Sequence, residues 1–419
     1  MARDDIVFVV ILVGSVAVSG LLRFCPPKWR ADMSAIAGVV ALVAACGWPN
    51  ALHPLSAIAA ALLCLKLTPQ RQRGSMAFAL AFGHLAILRL SPSPPGGPTN
   101  AALLLLVLRL AAADGAVAAG GGDGTGKSAA SSSASPGALE LVRYACCFHG
   151  LFTGPYYSYA AWNEMMRAPR PVPAARQLGV TLLSAVGALA VWRGVASYLP
   201  YAAVWGEHTP AWAYWQRLLY FYASSFQFRW RFYTCWLVMQ LSGEVLGAAD
   251  SSNAIISQCE LATSPSSYIA GWNTSVQAWL KENAYRRLLP ASTPRLVRQL
   301  ATFAVSAFWH GVRPGYYLFF LGLFCMVGVE QVVRAAASKA LNDRAVGLRG
   351  ALLACVCHVW TMMCFGFFGG AFNLLDYRDT LELWRALRFY GLGLTALPAV
   401  PAALLLLALP TVKRRPKGD

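Results

Sequence analysis

The sequence predicts an all-α fold: a polytopic transmembrane helical bundle of about 9–11 spans, with an internal tunnel and short interfacial helices. Three observations predict it. Hydrophobic residues make up 57% of the 419 positions. Charged residues make up only 13%, against roughly 25% in a soluble domain, a deficit too large for a globular core alone. Apolar runs recur at 6–22, 35–48, 51–67, 75–90, 101–119, 177–203, 212–248, 296–337, 347–373 and 386–411, with the charge between them, as burial in hydrocarbon requires. Several exceed the ~20 residues that cross a bilayer, and the longest have room for two crossings or a re-entrant piece.

The first run follows "MARDD", whose two acids make it unlike a signal peptide's basic start, and no small-residue cleavage site follows. It reads as the first spanning helix. The loops then alternate in charge. "RFCPPKWR" (23–30) and "KLTPQRQR" (66–73) each carry three cations, whereas "WPN" (48–50) and "SPSPPGGPTN" (91–100) carry none. By the positive-inside rule the basic loops are cytosolic, the N-terminus is lumenal and the tail "KRRPKGD" is cytosolic, which asks for an odd number of crossings.

The net charge of +17 would suggest nucleic acid in a soluble protein. Here Lys and Arg cluster at the ends of apolar stretches, so the expectation is cytoplasmic anchoring against membrane lipids and no nucleic-acid partner. A basic cytosolic face also attracts a polyanionic small molecule. The eleven cysteines are scattered without a disulfide pattern. "ACVCH" (Cys355, Cys357, His358) lacks the second ligand pair of a zinc site, so no metal is expected and the cysteines read as small core residues.

Four stretches follow: N-terminal transmembrane helices over 1–113, a low-complexity Gly/Ala/Ser loop over 114–137, a transmembrane core over 138–411 and a basic cytosolic tail over 412–419. The loop contains a formal P-loop match, "GGDGTGKS" (Gly121 to Ser128). A working P-loop joins a buried strand to a helix. Neither neighbour here reads as a strand, so nucleotide binding is not expected there.

The chemistry concentrates in residues 260 to 317. In "GWNTSVQAWLKENAYRRL", Asn273, Gln277 and Lys281 are spaced by four and would share one face of an amphipathic interfacial helix. Trp272, Val276 and Trp279 form the adjacent apolar stripe. "NTS" (273–275) is a glycosylation sequon, but Lys281, Arg286, Arg287, Arg295 and Arg298 mark the cytosolic side, where such glycans are not added. His310 lies twelve residues beyond Arg298, about 18 Å deep if the run is helical and so near the middle of a ~30 Å slab. One reading is a histidine satisfied by a helix–helix hydrogen bond. At bilayer depth an ionisable side chain is a functional candidate. Gly311 and the Pro314–Gly315 pair break the helix beside it, and broken backbone at that depth lines a cavity or lies inside protein.

A neutral imidazole takes a proton from an alcohol near neutral pH. The Asn273 amide donates two hydrogens, suited to a carbonyl or its developing oxyanion. No serine or cysteine is evidently paired with His310, so direct attack by a substrate hydroxyl is simpler than a covalent enzyme intermediate.

"WHG" around His310 and the upstream Asn273 resemble the signature of the membrane-bound O-acyltransferase family. "GWNTSVQAWL" and "SAFWHGVRPGYYLFF" resemble its lysophospholipid branch. "CFHGLFTGPYYSY" (147–159), "FQFRWRFYTCW" (226–236) and the register of Gln277 are most similar to members acting on lysophosphatidylinositol. The resemblance covers roughly residues 140 to 320; the 114–137 loop and the stretch after Val245 do not follow the family pattern.

The resemblance implies transfer of a fatty acyl chain from acyl-CoA to the sn-2 hydroxyl of a lysophospholipid in phospholipid remodelling at the endoplasmic reticulum. Acyl-CoA is then a co-substrate, and no bound cofactor is expected. His310 and Asn273 are the implied catalytic pair, with Gln277, Trp309 and Arg313 as neighbouring substrate-binding candidates. Lys281, Arg286 and Arg287 suit the phosphates of CoA, although ordinary positive-inside anchoring accounts for each equally well. Arg229 and Arg231, set among Phe226, Phe228, Trp230, Phe232 and Tyr233, suit a lysolipid phosphate or inositol ring, or snorkel to the interface. Tyr156, Tyr157 and Tyr159 fit an interfacial aromatic belt better than a sugar site. Two alternatives stay open: the same chemistry on another acceptor (lysophosphatidylcholine or lysophosphatidylserine, a sterol, a protein), or a transporter using His310 as a proton relay. No second copy of "WHGVRPG" appears, against the internal repeats common in transporters.

Overall fold

The chain is an all-α polytopic membrane protein. A computed structural model describes residues 3–113, 136–205, 211–340 and 348–408. The loop motif Gly121 to Ser128 and the basic tail lie outside the described residues.

The apolar runs become helices. They are α1 (Arg3–Phe24), α2 (Pro27–Cys46), α3 (Trp48–Leu67), α4 (Gln70–Leu90) and α5 (Gly97–Ala112), then α8 (Ala175–Tyr198), α10 (Phe226–Leu246), α14 (Arg295–His310), α15 (Pro314–Ala340), α16 (Leu348–Leu374) and α18 (Tyr390–Ala408). Short helices fill the gaps: α6 (Ala138–Ala145), α7 (Tyr159–Arg167), α9 (Tyr214–Ser224), α11 (Ile256–Glu260), α12 (Pro265–Gly271), α13 (Thr274–Leu280) and α17 (Tyr377–Ala386). The long run 296–337 breaks between His310 and Pro314, where proline at a helix start gives up no internal hydrogen bond.

Five described helices are long and apolar enough to cross a membrane, and six if the pair α17–α18, bent by 72°, counts as one broken span. Of the other long helices, α4 and α10 carry cations within the run (Arg71, Arg73 and Arg89; Arg229 and Arg231), whereas α5 and α14 are only 16 residues each. On α8, Val180, Leu183 and Val186 are exposed, an apolar outer face that suits lipid contact.

The described chain forms two compact units. The first comprises residues 1–194, 227–255 and 272–312. Its core centres on α5, where Leu103, Leu106, Val107 and Leu108 are almost fully buried. Arg30, one of the cations expected in an exposed cytosolic loop, is instead buried and donates to the carbonyls of Leu22 (3.0 Å), Cys25 (3.1 Å) and Met166 (2.8 Å). It thereby adds a donor at the end of α1, where the Leu22 carbonyl also accepts from Cys25 N–H at 3.1 Å, and ties that end to α7 through Met166.

The second unit comprises residues 195–226, 256–271 and 313–419. Here α15 and α16 pack closely, and the Phe368 ring leaves no room for a side chain at Gly322. Phe367 stacks on Trp384 (4.8 Å, 15°), and the Asp376 carboxylate caps α17 by accepting from Arg378 N–H at 2.7 Å. Buried Glu330 accepts from Ser266 N–H (2.8 Å) and pairs with Arg334 (2.9 Å).

Candidate active site

Asn273 lies one residue before α13, with φ 48° and ψ 54°. That is the left-handed region, which asparagine tolerates better than most side chains. The shared face of Asn273, Gln277 and Lys281 is therefore corrected. The helix proper runs only from Thr274 to Leu280, and Lys281 opens a π-helical turn, Lys281–Tyr285. The left-handed turn sets the direction of the Asn273 side chain, which makes no capping bond. Its Oδ1 accepts instead from Nδ2 of Asn253 at 2.9 Å.

Asn253 is 1% exposed. Its Oδ1 accepts from both Ser275 N–H (3.2 Å) and Ser275 Oγ (2.6 Å), and its carbonyl accepts from Thr274 N–H (3.0 Å). Ser275 Oγ in turn accepts from Tyr156 N–H at 2.9 Å. One antiparallel bridge, Ala254 to Trp272, holds the two segments in register. Asn253 stands in a stretch that follows no recognised motif, so no sequence signal marks it.

Two sequence motifs find their structural use here. In the arginine–aromatic segment, Phe232, Tyr233 and Trp236 surround the Trp272 ring at 5.7, 5.5 and 4.9 Å between centroids. They seat the residue before Asn273. Exposed Arg231 stacks over Phe228 and Phe232 (5.8 and 5.3 Å), and Arg229 is buried. In the "TGP" segment Gly154 has φ +82°, and an added Cβ there would sit 3.3 Å from Asn253 Nδ2. Thr153 contributes its carbonyl to Trp236 Nε1–H at 3.0 Å.

His310 is the last residue of α14 and half-buried, with its ring edge-on to Trp309 at 4.6 Å. Arg89 reaches from α4 and donates to the carbonyls of Phe308 and Trp309. A cation there complements the negative end of the helix dipole. Trp309 is 3% exposed, and its indole N–H donates to the Leu104 carbonyl at 2.8 Å.

Asn273 immediately precedes α13 and His310 ends α14, and these two helices are tied to the same supports. Trp279 of α13 donates its indole N–H to the Leu108 carbonyl at 3.0 Å, one turn of α5 from the Leu104 carbonyl that Trp309 uses. The Phe82 ring contacts Trp279 at 6.0 Å and Phe308 at 6.4 Å. Val276, Trp279, Leu280 and Trp309 share one buried cluster.

The other predicted binding residues scatter. Gln277 is half-buried one turn beyond Asn273, and its N–H closes the first helical bond to the Asn273 carbonyl at 3.0 Å. Lys281 is exposed. Arg286 and Arg287 are exposed and both pair with Glu282 at 2.9 Å. Exposed Arg313 begins the last segment of the second unit. The interfacial belt expected of the tyrosines is corrected for two of the three. Tyr157 and Tyr159 are buried, because the loop that carries them packs inward. Tyr144 Oη donates to the Tyr157 carbonyl at 2.7 Å, and Tyr159 Oη donates to Glu140 at 2.8 Å.

A cation that belongs to no motif organises that loop. Arg109, 1% exposed in α5, donates to the carbonyls of Ala145 (3.0 Å), Cys147 (2.7 Å) and His149. A cavity of about 300 Å³ between α2, α6 and α7 is lined by Lys28, Arg143, Arg167 and Glu140, and by none of the predicted site residues. Arg143 forks onto Asp32 (2.6 and 2.9 Å), and Arg167 pairs with Glu140 at 2.8 Å. Burial, with help from Glu140, pushes the Tyr159 phenol up to about 12.

A family model described as the membrane-bound O-acyltransferase family matches residues 122–372, a span containing both Asn273 and His310. Among curated proteins, the chain is 25% identical over 311 residues to lysophospholipid acyltransferase 2 of Arabidopsis thaliana, covering 67% of this chain and 65% of that relative. It is 23% identical over 441 residues to the membrane-bound acylglycerophosphatidylinositol O-acyltransferase mboat7 of Danio rerio, covering 93% and 91%. The human protein of that name is 26% identical over 313 residues, covering 62% of each chain. The match thus spans just under two thirds of the Arabidopsis relative.

Proposed function

The chain belongs to the membrane-bound O-acyltransferase family, and from that premise we propose that it moves a fatty acyl chain from acyl-CoA to the sn-2 hydroxyl of a lysophospholipid, most simply lysophosphatidylinositol, in phospholipid remodelling at the endoplasmic reticulum. One observation carries the reading: the helix that Asn273 leads into and the helix that ends at His310 hang from carbonyls one turn apart on α5.

The neutral imidazole of His310 accepts the proton of the sn-2 hydroxyl as its oxygen attacks the thioester carbonyl carbon. The carbonyl oxygen becomes an oxyanion, and the Asn273 amide donates to it. Collapse of the tetrahedral intermediate re-forms the carbonyl and breaks the carbon–sulfur bond. The imidazolium then returns its proton to the CoA thiolate. Each proton is accounted for without a covalent enzyme intermediate. The reading requires an apolar path for the acyl tail, with the polyanionic CoA held on the basic cytosolic face. Arg229, buried in α10, and stacked Arg231 are offered for the lysolipid headgroup, and exposed Lys281 for phosphate.

The headgroup rests on the family members named above, at about a quarter identity. The test is a panel: purified protein, one long-chain acyl-CoA, and lysophosphatidylinositol, lysophosphatidylcholine, lysophosphatidylserine and a sterol as acceptors, with CoA release and acylated product both quantified. Highest kcat/KM on lysophosphatidylinositol is expected. Preference for another acceptor overturns the headgroup, and no CoA release with any acceptor overturns the acyl transfer.

A further inference from the structure

The hydrogen-bond chain behind Asn273 has a fixed direction. Tyr156 N–H donates to Ser275 Oγ at 2.9 Å. A backbone N–H has no other role, so the Ser275 hydroxyl proton must go elsewhere, and it reaches Asn253 Oδ1 at 2.6 Å. Ser275 N–H, a second obligatory donor, points at the same Oδ1 at 3.2 Å. Two donors converging on one atom of a side chain that is 1% exposed identify that atom as the carbonyl oxygen. The other end of the Asn253 amide is therefore NH2, and it meets Asn273 at 2.9 Å. The Asn273 atom facing it accepts, so the Asn273 NH2 turns away from Asn253.

We propose that Asn253, backed by Ser275, is a positioning residue that holds the Asn273 amide with its NH2, not its oxygen, toward the reacting carbonyl. The proposal rests on the reading of Asn273 as the oxyanion donor. An asparagine amide has two ends of nearly equal shape, one that stabilises an oxyanion and one that repels it. A freely rotating side chain would divide its time between them. The chain running from Tyr156 N–H through Ser275 and Asn253 removes that ambiguity, and successive hydrogen bonds of one sense polarise the terminal N–H. It also explains why Asn273 takes the strained left-handed turn. That turn aims its oxygen at Asn253 rather than at the first amides of α13, where a capping side chain would point.

Asn253→Asp tests this with the full-length protein, because it replaces one NH2 by one oxygen at constant shape. A carboxylate at 253 still accepts from Ser275 but now needs a donor from Asn273. The Asn273 amide swings round, and its carbonyl faces the substrate. At neutral pH kcat should fall about 100-fold, the scale of losing one oxyanion donor, with KM for acyl-CoA and lysophospholipid within twofold of the parent. Acidification should restore the ratio of variant to parent kcat, since the introduced carboxyl, once protonated, donates to Asn273 again. Residue burial without an orienting role gives neither the split between kcat and KM nor the recovery. Parent-like kcat at neutral pH, or a loss that does not change with pH, overturns the proposal.

Asn273→Ala is measured alongside. If that variant keeps parent kcat, the oxyanion reading itself fails. If it is inactive while Asn253→Asp matches the parent, only the positioning role fails. Should Asn253→Asp not accumulate as folded protein, Ser275→Ala carries the test. It keeps the N–H to Asn253 and loses the hydroxyl link, so a several-fold loss of kcat at constant KM is expected and an unchanged kcat contradicts the relay.

Discussion

Trp279 and Trp309 donate their indole N–H groups to carbonyls one turn apart on α5, those of Leu108 and Leu104. Four residues of helix rise by about 6 Å, so the two anchors are closely spaced although thirty positions separate them in sequence. Helical carbonyls retain a second lone pair, which lets them accept these bonds without breaking α5.

Trp309→Phe keeps an aromatic ring but removes the N–H and part of the indole's bulk. The buried hydrogen bond is worth about 1 kcal/mol and the vacated volume adds to that, so Tm should fall. The rate should fall as well, about tenfold in kcat, because His310 follows Trp309 directly. Trp309→Phe with unchanged kcat would show that this anchor does not set the position of His310. Thermal unfolding and steady-state rates on the same preparation separate the two effects.

Arg89 fastens the end of α14 through the carbonyls of Phe308 and Trp309. Arg89→Met leaves both without that partner and removes a buried cation from the helix end, at a cost of about 2–3 kcal/mol. Arg89→Lys keeps the charge but loses the fork. Activity should rank parent, then lysine, then methionine, read as kcat in a common detergent. Equal activity in all three contradicts the capping role.

Gly154 is predicted to tolerate no side chain. Its φ of +82° costs an L-residue about 1–2 kcal/mol, and the new Cβ would press on Asn253. Gly154→Ala should lower both Tm and kcat, whereas Gly179→Ala, where no neighbour lies within 4 Å of the added carbon, should alter kcat little. A Gly154→Ala protein with parent kcat would disconnect the "TGP" loop from the site.

Arg109 is the least replaceable cation of the first unit. Arg109→Met strands the carbonyls of Ala145, Cys147 and His149 in the core. Each buried orphan costs about 1–3 kcal/mol, so the variant should fail to accumulate. Expression and size-exclusion profiles beside an Arg286→Met control, whose side chain is exposed at the surface, check this.

The helices were legible because apolar runs end where Pro, Gly and charge begin, as at Pro26–Pro27 and Gly311–Pro314. His310 stood out because a polar group amid apolar neighbours is costly and invites a reason, and Asn273 because of its place in the motif upstream of it. The supports were not legible. Nothing in the sequence singles out Arg109 or Arg89, since nothing local tells a cation that caps carbonyls from one that snorkels. Asn253 is joined to Asn273 across twenty positions by a single bridge and a left-handed residue, neither of which has a periodic signature. The same limit made Asn273, Gln277 and Lys281 look like one helical face. A spacing of four predicts a face only while every residue between is helical.

The most direct test of the central claim is CoA release by purified His310→Ala protein, with acyl-CoA and lysophosphatidylinositol saturating and folding verified by thermal unfolding. Loss of a general base predicts a fall in kcat of about 10²–10⁴-fold with Tm close to the parent. Turnover at the parental rate in a folded His310→Ala protein would contradict the account.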